Sequence, residues 1–181
     1  MFDVSEIRAD FPILAREVNG KPLVYLDNGA SSQKPEVVID AITRAYKDEY
    51  ANVHRGLHYL SNLATEKYES VRGIVARFLS ASDENEIILN SGTTEGINMV
   101  AYAWAMEHLK QGDNIVLSVM EHHANIVPWH FLRERIGIEL KWVDIDDYGN
   151  LNPQSVIDAI DKNTKLVAIT HMSNVLGTIV D

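Results

Sequence analysis

The second half of the chain alternates between short apolar runs and longer amphipathic stretches. Three runs are short, apolar and rich in branched residues: Glu86–Asn90, Asn114–Ser118 and Lys165–Thr170. A further strand is predicted at Ile138–Val143. Three stretches have apolar residues at helical spacing: about Thr94–Leu109, Ile126–Ile136 and Pro153–Ile160. Strands that alternate with helices predict an α/β fold whose mostly parallel sheet is covered by helices on both faces.

The first half is less regular, but its pattern still predicts separate elements. These are a helix at Ser5–Phe11 that Pro12 stops, a strand at Leu23–Leu26, a helix from Pro35 to about Tyr50, a loop at Ala51–Ser61 and a helix from about Leu63 to Phe78. Proline is favoured at the first position of a helix, and Val38, Ile42 and Tyr46 follow Pro35 at helical spacing. No repeat, low-complexity stretch or linker interrupts the sequence.

Composition and charge place the chain among ordinary globular proteins. Its 181 residues are 46% hydrophobic and 23% charged, which is enough for one domain with a real core. The net charge of −10 argues against nucleic acid or an anionic membrane as the main partner. Cysteine is absent, which excludes disulfides, thiolate metal sites and a cysteine nucleophile within these residues.

The sequence carries no sign of export or membrane insertion. No apolar run approaches the roughly 18 residues that span a bilayer. The N-terminal residues include acids where a secretory signal needs basic residues followed by an apolar stretch. We therefore expect a cytoplasmic protein.

The segment after Glu86–Asn90 has the features of an anion site. Ser91–Gly96 leads directly into a helix, and Gly92 permits a tight turn there. Thr93 and Thr94 place hydroxyls beside the free N–H groups of a helix N-terminus, which suits a phosphate or a carboxylate. The same residues are as readily expected to be plain helix caps. No Gly-Lys-Ser/Thr or G-x-G-x-x-G pattern is present, so the turn is not a nucleotide loop.

Two histidines follow the next apolar run. His122 and His123 come after Asn114–Ser118, where an imidazole can ligate a metal, stack on a planar ligand or act as a base. The pattern is not the H-E-x-x-H zinc helix, and no third ligand is near in the sequence. Capping or packing is the commoner role of a single histidine, so the pair by itself leaves these alternatives open.

An asparagine follows the last apolar run. Asn174 comes after Lys165–Thr170, and its amide can either hold a polar group of a ligand or shape the turn. In a parallel sheet, ligands bind outside the carboxyl ends of the strands. We therefore expect a phosphate cradle, an imidazole and an amide to converge on one cleft, which suits a planar, phosphorylated cofactor.

Six motifs, in this order along the chain, resemble the class V aminotransferase superfamily: Arg8–Pro12, Tyr25–Asp27, His54–His58, Ser91–Asn98, Glu121–Trp129 and Ser173–Gly177. More closely, they resemble the SUF-system cysteine desulfurases and the selenocysteine lyases. The likeness covers essentially the whole chain. It implies that residues 1–181 are the N-terminal segment and the first part of the pyridoxal 5'-phosphate (PLP)-binding large domain of a fold type I enzyme that works as a homodimer.

The resemblance also implies roles for individual residues at the cofactor. Thr93 and Thr94 would hold the PLP phosphate, and Asn174 would contact the phenolic oxygen of the cofactor. His122 would be the catalytic residue of this chain, because it would stack on the pyridine ring and be available to shuttle protons.

The resemblance implies two further site residues, in the first half of the chain. His54 and Arg55 belong to a loop that, in the family, approaches the active site near the dimer interface. His54 and His58 are four residues apart, which also allows a different interpretation, in which the two histidines bind a metal from adjacent turns of a helix. The segment does not look helical, so we expect no metal there.

The implied reaction removes sulfur from L-cysteine and leaves alanine and an enzyme-bound persulfide. PLP is the electron sink, a lysine Schiff base holds it, and a cysteine thiolate attacks the substrate sulfur. A sulfur-acceptor protein would then take the sulfur for iron–sulfur cluster assembly. A selenocysteine lyase, with L-selenocysteine as substrate, or another class V PLP enzyme is the alternative in the same class.

The chain departs from the family pattern in what it lacks. Up to Asp181 it has no Asp partner for the pyridine nitrogen, no lysine in a Ser-Gly-His-Lys-like context and no cysteine, and the C-terminal small domain is absent. We therefore expect an inactive fragment of a longer enzyme. A truncated, non-catalytic scaffold or partner chain is the alternative from another class.

Overall fold

The computed structural model describes residues 3–181, which divide into two compact units. The first unit ends at Leu89 and the second runs from Asn90 to Asp181. Among these described residues, no helix is both long and apolar enough to cross a membrane.

The first unit opens with four short elements: helix α1 (Val4–Ala9), a 3₁₀ turn (Pro12–Ala15), and strands β1 (Glu17–Val18) and β2 (Lys21–Pro22). The predicted N-terminal helix is confirmed, although it ends at Ala9 and not at Phe11. Pro12 starts the 3₁₀ turn instead of continuing the helix, as expected of a residue without an N–H group.

The strand predicted at Leu23–Leu26 is wrong. The chain instead pairs β1 with β2 in an antiparallel hairpin whose turn is Asn19-Gly20, with φ angles of 54° and 69°. Asn-Gly with both residues at positive φ is the favoured two-residue hairpin turn, so the pairing forms directly beside it. Leu23–Leu26 lies beyond the hairpin and forms no strand.

Two longer helices follow in the first unit. Helix α2 (Glu36–Arg44) continues as a π-helical turn (Ala45–Glu49), which confirms the predicted helix from Pro35 to about Tyr50. Helix α3 (Tyr59–Leu79) begins before the predicted Leu63 because His58 caps it, its Nδ1 accepting a hydrogen bond from the Ser61 N–H.

The strand predicted at Glu86–Asn90 is also wrong. Glu84–Glu86 forms a 3₁₀ turn, and Ile87 is extended, with φ −96° and ψ 115°. No strand of residues 3–181 pairs with this segment, and Ile88 stays exposed. The branched residues therefore give an extended backbone here, but a strand also needs a hydrogen-bonded neighbour.

The second unit confirms the predicted α/β fold class. Its strands in the described part of the chain are β3 (Asn114–Ser118), β4 (Glu139–Val143) and β5 (Thr164–Ala168). They form a parallel sheet in the order β4-β3-β5. Its helical segments are α4 (Thr93–Met99), a π-helical turn (Val100–Ala105), α5 (Met106–His108), α6 (Val127–Ile136) and α7 (Pro153–Ala159).

The sheet buries apolar side chains on both of its faces. On one face, Ile115 and Leu117 of β3 pack mainly against the π-helical turn and α6, in a cluster with Ala101, Ala105, Leu109, Trp129, Leu132 and Ile138. On the other face, Val116 packs with Val143 and Leu151, against side chains of α7. This alternation follows from the two-residue period of a strand. All five residues of β3 are buried, as expected of a central strand.

A polar cluster ties the strands together near their amino ends. The Asp161 carboxylate accepts hydrogen bonds from Lys141 Nζ at 2.8 Å and from Asn114 Nδ2 at 3.0 Å. These bonds, first that of Lys141 and then that of Asn114, hold the pKa of Asp161 well below its ordinary value. Thr164 Oγ1 donates to Asn114 Oδ1 at 2.7 Å, so side chains of all three strands meet here.

Candidate functional site

The candidate phosphate cradle lies at the start of helix α4. Gly92 precedes the helix with φ 141° and ψ 173°, a conformation open to glycine and rarely to other residues. No side chain in residues 3–181 caps the helix, which leaves its first N–H groups available to an anion. Thr93 and Thr94 are both exposed beside those groups.

The turn before this helix is held by its own side chains. The Glu95 carboxylate accepts hydrogen bonds from the Ser91 hydroxyl and from the Ser91 N–H, the latter at 2.6 Å, and the Gly92 N–H donates to Asn90 Oδ1 at 2.9 Å. The Ser91 hydroxyl, followed by its N–H, lowers the pKa of Glu95. Because the N–H groups of Ser91 and Gly92 are engaged, an anion would bind from Thr93 onward.

His122 lies just past the carboxyl end of β3, and its ring is exposed. It caps a 3₁₀ turn (His123–Asn125), and its Nδ1 accepts a hydrogen bond from the Ala124 N–H at 3.1 Å. In a neutral imidazole the accepting nitrogen carries no proton, so this bond places the proton of the neutral His122 ring on Nε2. The His123 ring is edge-on to that of His122, with centroids 6.3 Å apart.

Asn174 lies in the turn that follows β5. The neighbouring Ser173 is buried, and its hydroxyl accepts hydrogen bonds from the N–H groups of Val175 and Leu176 at 3.3 and 3.1 Å. The Gly177 N–H closes the turn on the Ser173 carbonyl at 2.9 Å. Ser173 therefore shapes the turn, and the exposed Asn174 side chain takes no part in its hydrogen bonds.

The four candidate residues of the second unit lie on three segments that meet at one end of the sheet. Helix α4 contacts the 3₁₀ turn that follows His122. That turn is tied to the end of β5, because Asn125 Nδ2 donates to the Ala168 carbonyl at 3.0 Å. The carboxyl ends of β3 and β5 are neighbours in the parallel sheet. In this arrangement an anion could bind at the uncapped helix start, and a planar group could bind to the imidazole and the amide.

The polar residues that surround His122 are not evident from the sequence. Glu121 Oε2 accepts a hydrogen bond from Asn125 Nδ2 at 2.7 Å, and Asn125 Oδ1 accepts one from Trp129 Nε1 at 3.0 Å. Glu121, Asn125 and Trp129 follow one another at intervals of four residues, and this spacing was the one sign of the network in the sequence. Its interpretation required the fold, because a 3₁₀ turn and a helix follow each other within this stretch.

His54 and Arg55 lie in the first unit, in the loop before α3. His54 has a φ of 72°, its N–H donates to Thr65 Oγ1 at 2.9 Å, and its Nε2 contacts the Glu69 carboxylate. Arg55 is exposed. His58 is the cap of α3, so the segment from His54 to His58 is not helical. In the described part of the chain, no group of three or more His, Cys, Asp or Glu is placed to hold a metal.

The shape of this loop depends on a glycine. Gly56 approaches the buried Ser61 so closely that a Cβ at position 56 would collide with the Ser61 side chain. The Ser61 hydroxyl accepts a hydrogen bond from the Gly56 N–H at 3.0 Å and donates one to the Asn52 carbonyl at 2.7 Å. The loop that carries His54 and Arg55 is therefore anchored on the first turn of α3.

Known proteins share both the sequence and the fold of this chain. A cysteine desulfurase of Salmonella newport (strain SL254) is 54% identical over 177 residues, which are 98% of this chain and 44% of that protein. The chain thus spans less than half the length of this curated relative.

Two solved structures match the whole chain. The apo structure of a cysteine desulfurase from Thermococcus onnurineus NA1 matches with a TM-score of 0.89 and 39% identity, and the match covers 43% of that protein. The cysteine desulfurase CsdA from Escherichia coli matches with a TM-score of 0.82 and 34% identity, over 44% of its length. The neighbours confirm the predicted fold type I architecture.

A family model covers most of the chain as well. Residues 24–181 match the family described as aminotransferase class-V. The matched region contains the start of helix α4, the histidine pair and the Asn174 turn, as well as the His54 loop. This protein belongs to the aminotransferase class-V family.

Proposed function

We propose that this chain is the N-terminal part of a PLP-dependent cysteine desulfurase, which converts L-cysteine to alanine and an enzyme-bound persulfide. Its similarity to proteins named cysteine desulfurase supports the proposal. The observation that carries it is that helix α4, whose start is uncapped, contacts the turn after His122, and that this turn is hydrogen-bonded to the end of β5, the strand that precedes Asn174.

The chemistry of the residues present fits PLP. The N–H groups at the start of α4 and the hydroxyls of Thr93 and Thr94 suit its phosphate, because a helix N-terminus favours negative charge. The exposed ring of His122 suits the flat pyridine, and the amide of Asn174 suits its phenolic oxygen. When bound, PLP supplies the electron sink of the reaction.

Each residue has a definite task in this proposal. Thr93 and Thr94 bind the phosphate and so fix the position of the cofactor. Asn174 orients the ring through a hydrogen bond. His122 covers one face of the ring and holds a proton on Nε2, because Nδ1 is engaged by the Ala124 N–H.

Several parts of the proposal concern the longer protein. We place His54 and Arg55 in an active-site loop of a homodimer, in the cytoplasm, with a sulfur-acceptor protein as partner in iron–sulfur cluster assembly. The 181 residues contain no cysteine to carry a persulfide, so the chain alone is inactive in this proposal.

That missing cysteine also favours a second candidate function. A chain that kept the fold without the nucleophile would act as a non-catalytic scaffold or partner subunit. Within the catalytic class, a selenocysteine lyase or another class V enzyme is the alternative, with L-selenocysteine in place of L-cysteine.

The proposed activity is tested by alanine release. The full-length, PLP-loaded protein is expected to release alanine from L-cysteine, and the 181-residue chain is not. The measurement is amino-acid analysis of the reaction with L-cysteine and, in parallel, with L-selenocysteine. A full-length protein that releases alanine from neither substrate contradicts the proposal, and one that acts on L-selenocysteine alone is a lyase.

Replacing Thr94 with alanine tests the phosphate cradle. The full-length Thr94→Ala protein is expected to hold PLP more weakly by about 1–3 kcal/mol, the contribution of one hydrogen bond to a charged acceptor. Equilibrium titration of the cofactor-free protein with PLP measures the change. Thr43→Ala, in the exposed α2, is the matched control. Equal PLP affinity in Thr94→Ala and the parent would contradict the role in phosphate binding, and the segment would then be a plain helix start.

A further inference from the structure

The Glu121 carboxyl group is the centre of a buried hydrogen-bond network at the carboxyl end of β3. Only 8% of Glu121 is exposed. Its Oε1 accepts hydrogen bonds from the Ser118 hydroxyl at 2.5 Å and from the Thr170 N–H at 3.0 Å. Its Oε2 accepts one from the Asn125 amide at 2.7 Å. One side chain thus joins the end of β3, the turn after His122 and the segment after β5.

The network continues through Asn125 into the core. Asn125 Nδ2 also donates to the Ala168 carbonyl at 3.0 Å, and Asn125 Oδ1 accepts from Trp129 Nε1 at 3.0 Å. Trp129 is 2% exposed and belongs to the main apolar cluster. The Asn125 amide therefore has partners on both of its polar atoms, and the 3₁₀ turn is fixed to the sheet and to α6.

His122 lies between these two fixed points. The residue before it is anchored by the Glu121 carboxyl group, and the turn after it is anchored by Asn125. The bond from the Ala124 N–H to Nδ1 then sets the orientation of the ring. A polar network that is fully hydrogen-bonded in a buried setting is rigid and defines one geometry. The exposed imidazole is thus held on a backbone that has little freedom.

We infer that Glu121 is a positioning residue. It fixes the imidazole of His122 by anchoring the 3₁₀ turn that His122 caps. The inference rests on the proposed role of His122 at the cofactor. The same carboxyl group binds the Thr170 N–H, so it also sets the spacing between His122 and the segment that leads to Asn174. An error of about 1 Å in the position of a catalytic group can cost about 100-fold in rate.

Glu121→Gln in the full-length protein is the test. The glutamine keeps an oxygen for Ser118 and Thr170 but turns an NH₂ group toward the Asn125 amide, which is also a donor. We expect kcat to fall between about 10- and 100-fold, with KM changed by less than about twofold. The visible circular dichroism of bound PLP should change. In the cofactor-free protein, ¹⁵N NMR of the His122 ring should show loss of the single Nε2–H form. Glu134→Gln, on the exposed side of α6, is the matched control.

Parent values of kcat, circular dichroism and the His122 spectrum in Glu121→Gln would overturn the inference. So would a lower melting temperature with a normal kcat per bound cofactor, because the role would then be purely structural. If Glu121→Gln does not fold, Ser118→Ala removes one donor and should shift the same readouts in the same direction by less. Parent-like readouts in Ser118→Ala would also overturn it.

The NMR measurement separates this inference from the proposed function. A His122→Ala protein with full turnover would remove the assigned role of His122, whereas an altered His122 ring in Glu121→Gln would still support the positioning contact. An unchanged ring in Glu121→Gln, together with an inactive His122→Ala, would overturn the positioning role and leave the proposed function in place.

Discussion

Turnover of L-cysteine by the full-length protein is expected to fall about 100-fold or more when His122 is replaced with alanine. The ring is exposed at the carboxyl end of the central strand, and its Nδ1 is held by the Ala124 N–H. In the proposed role, its loss removes both the ring face that would cover the cofactor and the proton on Nε2. Steady-state kinetics of alanine formation measure the effect, and the melting temperature should stay near that of the parent because the ring is not part of the core.

His123→Ala is the control for this prediction. His123 is also exposed and is the adjacent residue, but it forms no cap of the 3₁₀ turn. We expect His123→Ala to retain most of the parent's turnover. Equal activity in His122→Ala and His123→Ala would contradict the role assigned to His122.

The largest loss of stability is expected from Trp129→Ala, at about 3–5 kcal/mol of unfolding free energy. Trp129 is 2% exposed, packs in the main apolar cluster and donates a hydrogen bond to Asn125. Truncation leaves a cavity and an unsatisfied amide oxygen beneath the turn that carries His122. Urea unfolding of the full-length protein, followed by far-ultraviolet circular dichroism, measures the change.

Trp142→Ala is the matched control for this stability test. Trp142 lies on the edge strand β4 and is 40% exposed, so its truncation removes less buried surface and leaves no enclosed cavity. We expect a loss of less than half that of Trp129→Ala. A Trp129→Ala protein as stable as Trp142→Ala would show that the apolar cluster does not depend on the indole.

The sequence predicts the second unit better than the first, for a physical reason. The three observed strands of the sheet overlap the predicted ones, because all three contribute side chains to the apolar clusters between the sheet and its helices. The errors at Leu23–Leu26 and Glu86–Asn90 have a common origin. Branched residues favour extended backbone, but periodicity contains no information on whether a neighbouring strand is available to pair.

The candidate site was likewise predicted only in part. The positions of His122 and Asn174 after β3 and β5 follow from sequence, because parallel strands place such segments at one end of a sheet. Thr93 lies at a helix start, as predicted, but it does not follow a strand, because Glu86–Asn90 forms none. The network of Glu121 was not predictable, since its bond to Thr170 joins residues 49 positions apart. The absence of a side-chain cap on α4 also required the structure, because serine and threonine there are consistent with caps.

The strand order has a consequence for how the protein is made. Strand β3 is synthesised before both of its partners, and Asn114 reaches Thr164 only across 50 positions of sequence. At a translation rate of about 5–20 residues per second, this takes roughly 2–10 s. During that interval the Ile115–Leu117 segment has no native neighbour on one side. The nascent chain is therefore open to mispairing with other chains, and its folding yield should depend on chaperones that cover this strand.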